Sequence, residues 1–440
     1  MGKRWSGGEW GCLGPGRLGG VPAARTGGSR VRQRTIDSYN LTRLSRKCYG
    51  AGRFPGDPGP ETEACQAETL AMIARTLHCV SGAGLTALAL FDLGRACREG
   101  LLSRICRPPE VRSVVVPVRQ SELRADLYLP GREGEHGGVV MVPGFTEFGK
   151  DDARVVWLAR QLARIGFVVL VPDLPGLRSW RAREADVDDM VDSFRYLATL
   201  APRLRQDRLG LMGFSYGAGP TLIAAADPAI ASQVRFVISF GGYFDLVDVI
   251  RFVTTGHFAW QGHRGHLSPS PHARGRFLLA NLDLVQEARD QEILGAVGKA
   301  LADGEWGTRA GTDGLSPWGA ALYALLMNTD PEQVGALIGR LDPRIRERIA
   351  YLSPSRVIGR LQAHLVIIHG LEDDYIPYTE SLRLAAAAPR KDQVHLALTR
   401  LISHVDVVGP DLRPSGFLRA YVRELWDVAG VIRFVVAQRC

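Results

Sequence analysis

From residue 109 onward, short apolar segments alternate with longer stretches that carry apolar residues at helical spacing. Apolar runs bounded by turn residues are typical of buried strands. The predicted strands are Val111–Val118, Leu123–Leu129, Val139–Val142, Phe167–Val171, Leu209–Met212, Val234–Phe240 and His364–His369. Helices are predicted at Ala153–Ile165, Val187–Leu200 and Ala218–Ala226. This alternation predicts an α/β fold with a mostly parallel central sheet flanked by helices.

The alternation stops between residues 254 and 360, where the pattern becomes helical. A structureless segment of this length is incompatible with a compact domain, so we interpret it as a helical insertion. Its predicted helices are Arg276–Ala288, Glu292–Leu301, Ala320–Met327 and Pro331–Ile338. Because it lies between two predicted strands, we expect it to form a lid or cap on a core made of residues 109–253 and 361–440.

The first 108 residues have a different composition from the rest. Residues 1–60 are basic and rich in Gly, Arg and Pro, which predicts a disordered tail. Residues 61–108 are predicted to be a helical extension. Within it, residues 69–91 are apolar, but Arg75 and His78 leave the run short of the roughly 18 apolar residues that a membrane span requires. A helix packed on the core is the favoured interpretation, and weak contact with a membrane surface is the alternative.

The distributions of charge and of cysteine indicate which partners and which cellular compartment to expect. Residues 1–60 hold eleven Lys and Arg against three acidic residues, which accounts for the whole formal charge of +8. The remaining chain is formally neutral, so a nucleic-acid partner is not expected. None of the seven cysteines falls between residues 107 and 439, which is typical of a reducing compartment. We therefore expect a cytoplasmic protein, or a membrane-associated one if the extension binds lipid.

A candidate nucleophile follows the predicted strand Leu209–Met212. Residues 213–217 read Gly-Phe-Ser-Tyr-Gly and match G-x-S-x-G, with a helix-compatible run directly behind them. A nucleophile on a tight strand-to-helix turn needs flanking glycines, because a Cβ there would clash with the neighbouring backbone. The pattern alone is weak, but the strand and helix around it make Ser215 the candidate nucleophile.

A serine nucleophile requires a histidine base and a carboxylate that orients it. The loop after the strand His364–His369 carries Glu372, Asp373 and Asp374, at the sheet edge where open α/β folds place their sites. Two histidines remain downstream of this loop. His395 lies early in a further predicted strand, Val394–Leu398, which favours a structural role. His404 follows that strand in a loop, so we favour His404 as the base.

Residues 123–430 resemble the α/β-hydrolase family, particularly its dienelactone-hydrolase-like and serine-peptidase-like branches. The resemblance is carried by the Ser215 turn, by the stretch His369–Pro377, which is similar to H-G-x-x-D-x-x-V-P, and by Ser353-Pro354 upstream. The order Ser, Asp, His is also that of the family. The resemblance implies that Asp373 is the acid of a catalytic triad.

The resemblance also implies an oxyanion hole. Residues 142–146, Val-Pro-Gly-Phe-Thr, resemble the family's oxyanion loop, although Pro143 stands where histidine is usual. Since the donor is a backbone N–H, the implied donors are the amides of Phe145 and Tyr216.

These residues together predict a serine esterase that acts through an acyl-enzyme intermediate, with no metal and no cofactor. The expected substrate is a small acyl compound, apolar in view of the insertion's composition. An acyltransferase that uses the same triad and an inactive binding protein are the alternatives. The sequence leaves the oligomeric state and the choice between ester and peptide substrates open.

Overall fold

A computed structural model describes residues 84, 86–87, 89, 100–119, 121–200, 204–304, 313–404, 406–407 and 417–439, the last segment with side chains from residue 423. The predicted tail at 1–60 lies outside these residues. Most of the predicted extension at 61–108, including nearly all of the apolar segment 69–91, also lies outside them. Within the described part of the chain, no helix is both long and apolar enough to cross a membrane.

The central sheet has eight strands in the order β1-β2-β4-β3-β5-β6-β9-β10. Strands β1 and β2 pair antiparallel, as do β2 and β4, and all other pairs in this sheet are parallel. The sheet strands are β1 Glu110–Val118, β2 Ser121–Leu129, β3 His136–Val142, β4 Phe167–Pro172, β5 Leu204–Phe214, β6 Phe236–Phe240, β9 His364–Gly370 and β10 Val394–Thr399. The predicted mostly parallel sheet is confirmed.

Helices cover both faces of this sheet because its central strands are apolar on both faces. In β3, Val140 and Val142 belong to one hydrophobic cluster, while Val139 and Met141 belong to another. This split follows from the two-residue period of a strand. One face packs against α4 and α5, and the other packs against α2 and α13. The helices of the core are α1 Leu101–Ile105, α2 Ala153–Ile165, α3 Pro175–Arg178, α4 Ala185–Ala198, α5 Ala218–Ala225, α12 Thr379–Ala387 and α13 Phe417–Ala437.

The segment between β6 and β9 is mainly helical, and its helices have other bounds than the predicted ones. Its helices are α6 Leu246–Thr255, α7 Ala273–Asn281, α8 Ala288–Ala302, α9 Pro317–Met327, α10 Val334–Gly339 and α11 Pro343–Tyr351. Leu278 of α7, Leu294 of α8 and Leu322 of α9 join the hydrophobic cluster of one sheet face. The insertion therefore shares its core with the sheet.

Two features were not predicted from the sequence. A small hairpin pairs β7 His257–Trp260 with β8 His263–His266. Its two-residue connection, Gln261-Gly262, has positive φ at both positions, as a tight primed turn requires. The long helix α13 also escaped prediction. The remaining short strands, β11 Ile402–Ser403 and β12 Asp406–Val407, pair with each other.

Candidate active site

Ser215 lies on a tight turn between β5 and α5. Strand β5 ends at Phe214, one 3₁₀ turn covers Ser215–Gly217, and α5 begins at Ala218. The φ angle of Ser215 is +51°. A non-glycine residue in this left-handed region costs about 1–3 kcal/mol, which the surrounding structure must supply. The strained turn presents the Ser215 hydroxyl to the pocket at this edge of the sheet.

The glycines on either side permit this turn. A Cβ at Gly217 would overlap the carbonyl oxygen of Pro143. A Cβ at Gly213 would lie 2.7 Å from the Cα of Ala218. Backbone atoms cannot move aside as a flexible side chain can, so both positions require glycine for the turn to close.

The three residues predicted to form a triad lie within hydrogen-bond distance of one another. Ser215 Oγ is 2.8 Å from Nε2 of His404. His404 Nδ1 is 2.8 Å from Oδ2 of Asp373. With the carboxylate accepting the Nδ1–H, Nε2 is left to accept the proton of the hydroxyl. The imidazole is 7% exposed and the carboxylate is fully buried, so the geometry is held by packing.

Asp373 is fixed by the loop that carries it. Its Oδ1 accepts the N–H groups of Tyr375 and Ile376 at 2.8 and 2.9 Å. Burial opposes the charged form, but the charge of His404 and the hydrogen bonds from His369 and His404 outweigh it and lower the pKa of Asp373. The carboxylate is therefore ionised at neutral pH and able to orient the imidazole.

Asp373 is the acidic residue of this loop that reaches His404. Glu372 is exposed, and Asp374 is half-buried with its pKa raised, first by burial and second by the charge of Asp373. The structure thus brings Asp373 together with the nucleophile, whereas Glu372 stays at the surface.

His395 lies in β10, away from the nucleophile. Its ring stacks on Phe434 of α13 with a centroid distance of 3.9 Å and lies 5.6 Å from the ring of His364. Burial lowers the pKa of His395. These contacts describe a histidine that packs the C-terminal helix against the sheet.

The backbone at Phe145 also lies beside the nucleophile. A Cβ built on Gly144 would be 3.1 Å from the Cβ of Ser215. The ring of Phe145 stacks on the ring of Tyr216 at 4.2 Å. Among the described residues, the Phe145 N–H has no hydrogen-bond acceptor. Both predicted oxyanion donors therefore belong to segments in contact with Ser215.

The loop that carries Phe145 is tied to the start of α2. Thr146 Oγ1 donates to Asp152 Oδ2 at 2.9 Å, and Asp152 caps α2 by accepting the N–H of Arg154. These partners escaped the sequence analysis, although Asp at the start of a predicted helix is the signal of a cap.

One further residue of the site was missed. His369 was noted only as a part of the family motif, yet its Nε2 lies 3.4 Å from Asp373 Oδ2 and 2.9 Å from the carbonyl oxygen of Ile376. Its Nδ1 lies 2.6 Å from Ser381 Oγ. The imidazole is fully buried and braces the loop that carries the acid.

Ser215 and His404 open onto a cavity of about 420 Å³. The volume is in the range of pockets that hold small organic molecules. Aromatic and aliphatic side chains dominate its wall. The core contributes Phe145, Trp157 and Trp180, and the insertion contributes Phe277, Ile349 and Leu352. The insertion therefore forms part of the wall of the site. In the described ranges, no group of three His, Cys, Asp or Glu side chains has the spacing of a metal site.

Comparison with known proteins places residues 111–238 in a match to the PET hydrolase-like (PETase) family. The match spans β1 to β6 and includes Phe145 and Ser215, but it ends before Asp373 and His404.

Two curated relatives are similar to part of this chain. Cutinase 1 of Thermobifida cellulosilytica is 31% identical over 115 residues, which cover 24% of this chain and 42% of the relative. Bis(hydroxyethyl) terephthalate hydrolase of Streptomyces coelicolor is 35% identical over 94 residues, which cover 21% of this chain and 29% of the relative. The chain thus spans less than half of the length of these relatives.

Solved structures resemble the chain at low identity. An acylaminoacyl peptidase in complex with Z-Gly-Gly-Phe-chloromethyl ketone is 17% identical, with a TM-score of 0.44 over 74% of this chain and 42% of its own. Dienelactone hydrolase from Anabaena variabilis is 15% identical, with a TM-score of 0.37 over 73% of this chain and 97% of its own.

Proposed function

Because the chain belongs to the α/β-hydrolase family, we propose that it is a serine hydrolase that cleaves carboxylic esters through an acyl-enzyme intermediate. The observation that carries the proposal is the continuous hydrogen-bonded path from Ser215 Oγ through His404 to Asp373. A buried hydroxyl–imidazole–carboxylate path at a strained turn is costly to maintain for packing alone.

In the proposed mechanism each group has one step. His404 Nε2 accepts the Ser215 proton as Oγ attacks the acyl carbon, and the imidazolium that forms faces the ionised Asp373. The amides of Phe145 and Tyr216 are the proposed donors to the oxyanion. His404 then gives its proton to the leaving alkoxide. Water, deprotonated by the same imidazole, releases the acid and restores Ser215.

An ester is the proposed substrate class, and the substrate is expected to be a small molecule with an apolar acyl portion. Two curated relatives are named as a cutinase and as a bis(hydroxyethyl) terephthalate hydrolase, and the PET hydrolase-like family match includes the segment that carries Ser215. The apolar and aromatic wall of the cavity supports the same assignment. We also propose that the insertion acts as a lid, since Phe277, Ile349 and Leu352 lie on that wall.

The test is hydrolysis of 4-nitrophenyl esters of increasing acyl length by the full chain and by Ser215→Ala. The variant should lose at least about a thousandfold in kcat/KM, because the nucleophile is removed while the binding site remains. Ser193→Ala is the matched control. Its hydroxyl bonds a helix carbonyl in α4, outside the pocket, so its activity should be unchanged.

Labelling by a fluorophosphonate gives a second readout. Wild type and Ser193→Ala should label, and Ser215→Ala should not. Hydrolysis that persists in Ser215→Ala would contradict the proposal. Absence of both labelling and hydrolysis in the wild type would favour a binding protein, and a product ratio shifted toward an added alcohol would favour acyl transfer.

A further inference from the structure

An arginine of the insertion, Arg276, lies on the wall of the pocket. Arg276 belongs to α7, and its guanidinium carbon is 4.8 Å from the ring centroid of Trp180. On its other side Nη1 donates to the hydroxyl of Tyr375 at 3.2 Å. The two aromatic residues hold the guanidinium in place through a cation–π contact and a neutral hydrogen bond.

Arg276 differs from the other arginines of this pocket. Arg154 is bound by Asp152 at 2.8 Å, and Arg348 is bound by Asp283 at 3.0 Å. In the described part of the chain, by contrast, no carboxylate lies within ion-pair distance of Arg276. Its positive charge is therefore uncompensated in a mainly apolar cavity, which is unfavourable until an anion arrives.

Contacts connect Arg276 to the base on one side of the nucleophile. The ring of Tyr375 lies 4.7 Å from the ring of His404, whose Nε2 contacts Ser215. A single side chain thus separates the guanidinium from the imidazole.

Contacts also connect Arg276 to the proposed oxyanion side. The ring of Trp180 lies 5.5 Å from that of Phe145, which stacks on Tyr216 next to Ser215. Arg276 and Ser215 therefore line the same cavity, and aromatic side chains connect them on both sides.

We propose that Arg276 binds a free carboxylate at the end of the substrate remote from the scissile ester. The substrate class is then an ester with an apolar body and one terminal carboxylate, an inference that rests on the proposed function and narrows it. The planar guanidinium still has N–H groups that can meet a carboxylate in a two-point contact. One uncompensated cation matches a monoanion better than a phosphate dianion.

The test uses matched esters that differ only in the remote group. The substrates are 4-nitrophenyl monoesters of adipic, suberic and sebacic acid, each with its other carboxyl either free or methylated. At the length that reaches Arg276, the wild type should prefer the free acid. Arg276→Gln should lower kcat/KM for that acid by about 10- to 100-fold, the value of a charge-assisted hydrogen bond, and should lower kcat/KM for the methyl ester much less.

Two further variants serve as controls. Arg276→Lys keeps the charge without the planar fork and should give an intermediate loss. Arg346→Gln removes an exposed arginine of α11 outside the pocket and should retain the preference of the wild type. An equal loss on acid and methyl ester in Arg276→Gln, or no preference for the acid at any length in the wild type, would overturn the inference.

A binding measurement distinguishes failure of the carboxylate site from failure of the proposed hydrolase function. Calorimetry with suberic acid monomethyl ester and dimethyl suberate should show tighter binding of the acid to Ser215→Ala, and loss of that difference in the double variant with Arg276→Gln. If the difference holds while Ser215→Ala hydrolyses esters normally, the nucleophile assignment fails and the carboxylate site stands. If Ser215 is essential but the two ligands bind alike, only the carboxylate site fails.

Discussion

Glu380 is a fully buried carboxyl at the start of α12, and its replacement by Gln tests how this carboxyl holds α6, the helix that leads into the insertion. Its Oε2 accepts the N–H groups of Phe244 and Asp245 at 3.0 and 2.8 Å, directly before α6. Burial raises the pKa of Glu380 to about 8, and the charge of Asp248 adds to the effect. Arg383 opposes the shift, with Nε 3.4 Å from Oε1.

The direction in which stability changes with pH follows from the pKa of Glu380 in the folded and in the unfolded chain. The folded-state pKa of about 8 lies above the ordinary value of 4.5, so the folded protein keeps a proton that the unfolded chain releases. The stability due to the protonated carboxyl is fully present below pH 4.5 and is lost as the pH rises toward 8. At about 1.4 kcal/mol per pH unit, the loss reaches at most about 5 kcal/mol. Glu380→Gln mimics the protonated form and should remove this dependence.

The assay is urea unfolding of wild type and Glu380→Gln, followed by tryptophan fluorescence from pH 5 to 9. The free energy of unfolding of Glu380→Gln minus that of the wild type should rise by up to about 1.4 kcal/mol per pH unit until pH 8 and then stay constant. Glu372→Gln, which changes an exposed carboxylate in the preceding loop, should give a difference that does not vary in this way. A constant difference between wild type and Glu380→Gln at every pH would refute the reasoning.

Two other predictions concern the triad and its turn. Asp373→Asn should lower kcat by about 10³- to 10⁴-fold in the ester assay, because His404 loses the acceptor that sets its tautomer, and a loss below tenfold would contradict the proposed role. Gly217→Ala should abolish activity and lower the free energy of unfolding by about 1–3 kcal/mol in urea, since its methyl group overlaps the Pro143 carbonyl. Gly335→Ala has no atom within 4 Å of the new Cβ and should retain both activity and stability, so equal effects at the two glycines would exclude the steric explanation.

Local pattern determined most of the core fold. Strands β3 and β4 are short apolar runs that any packed sheet would bury, and α2 was predicted at the residues where it occurs, Ala153–Ile165. The hairpin β7–β8 was missed because its four-residue strands are mostly exposed or half-exposed and carry little apolar signal. Helix α7 was predicted to run to Ala288, yet it ends at Asn281, where a 3₁₀ turn at Leu282–Leu284 takes over.

The sequence by itself made Ser215 the candidate nucleophile and, through the family motif, Asp373 the candidate acid, because the glycines of the turn and the strand before it are local features. It could only favour His404 over His395. Only the tertiary structure places His404 beside Ser215, since the distance between an imidazole and a hydroxyl 189 residues apart depends on how the whole sheet folds. The same holds for Arg276, whose place over Trp180 has no local signature. Local periodicity reflects neighbours along the chain, whereas a site is made of residues that only packing brings together.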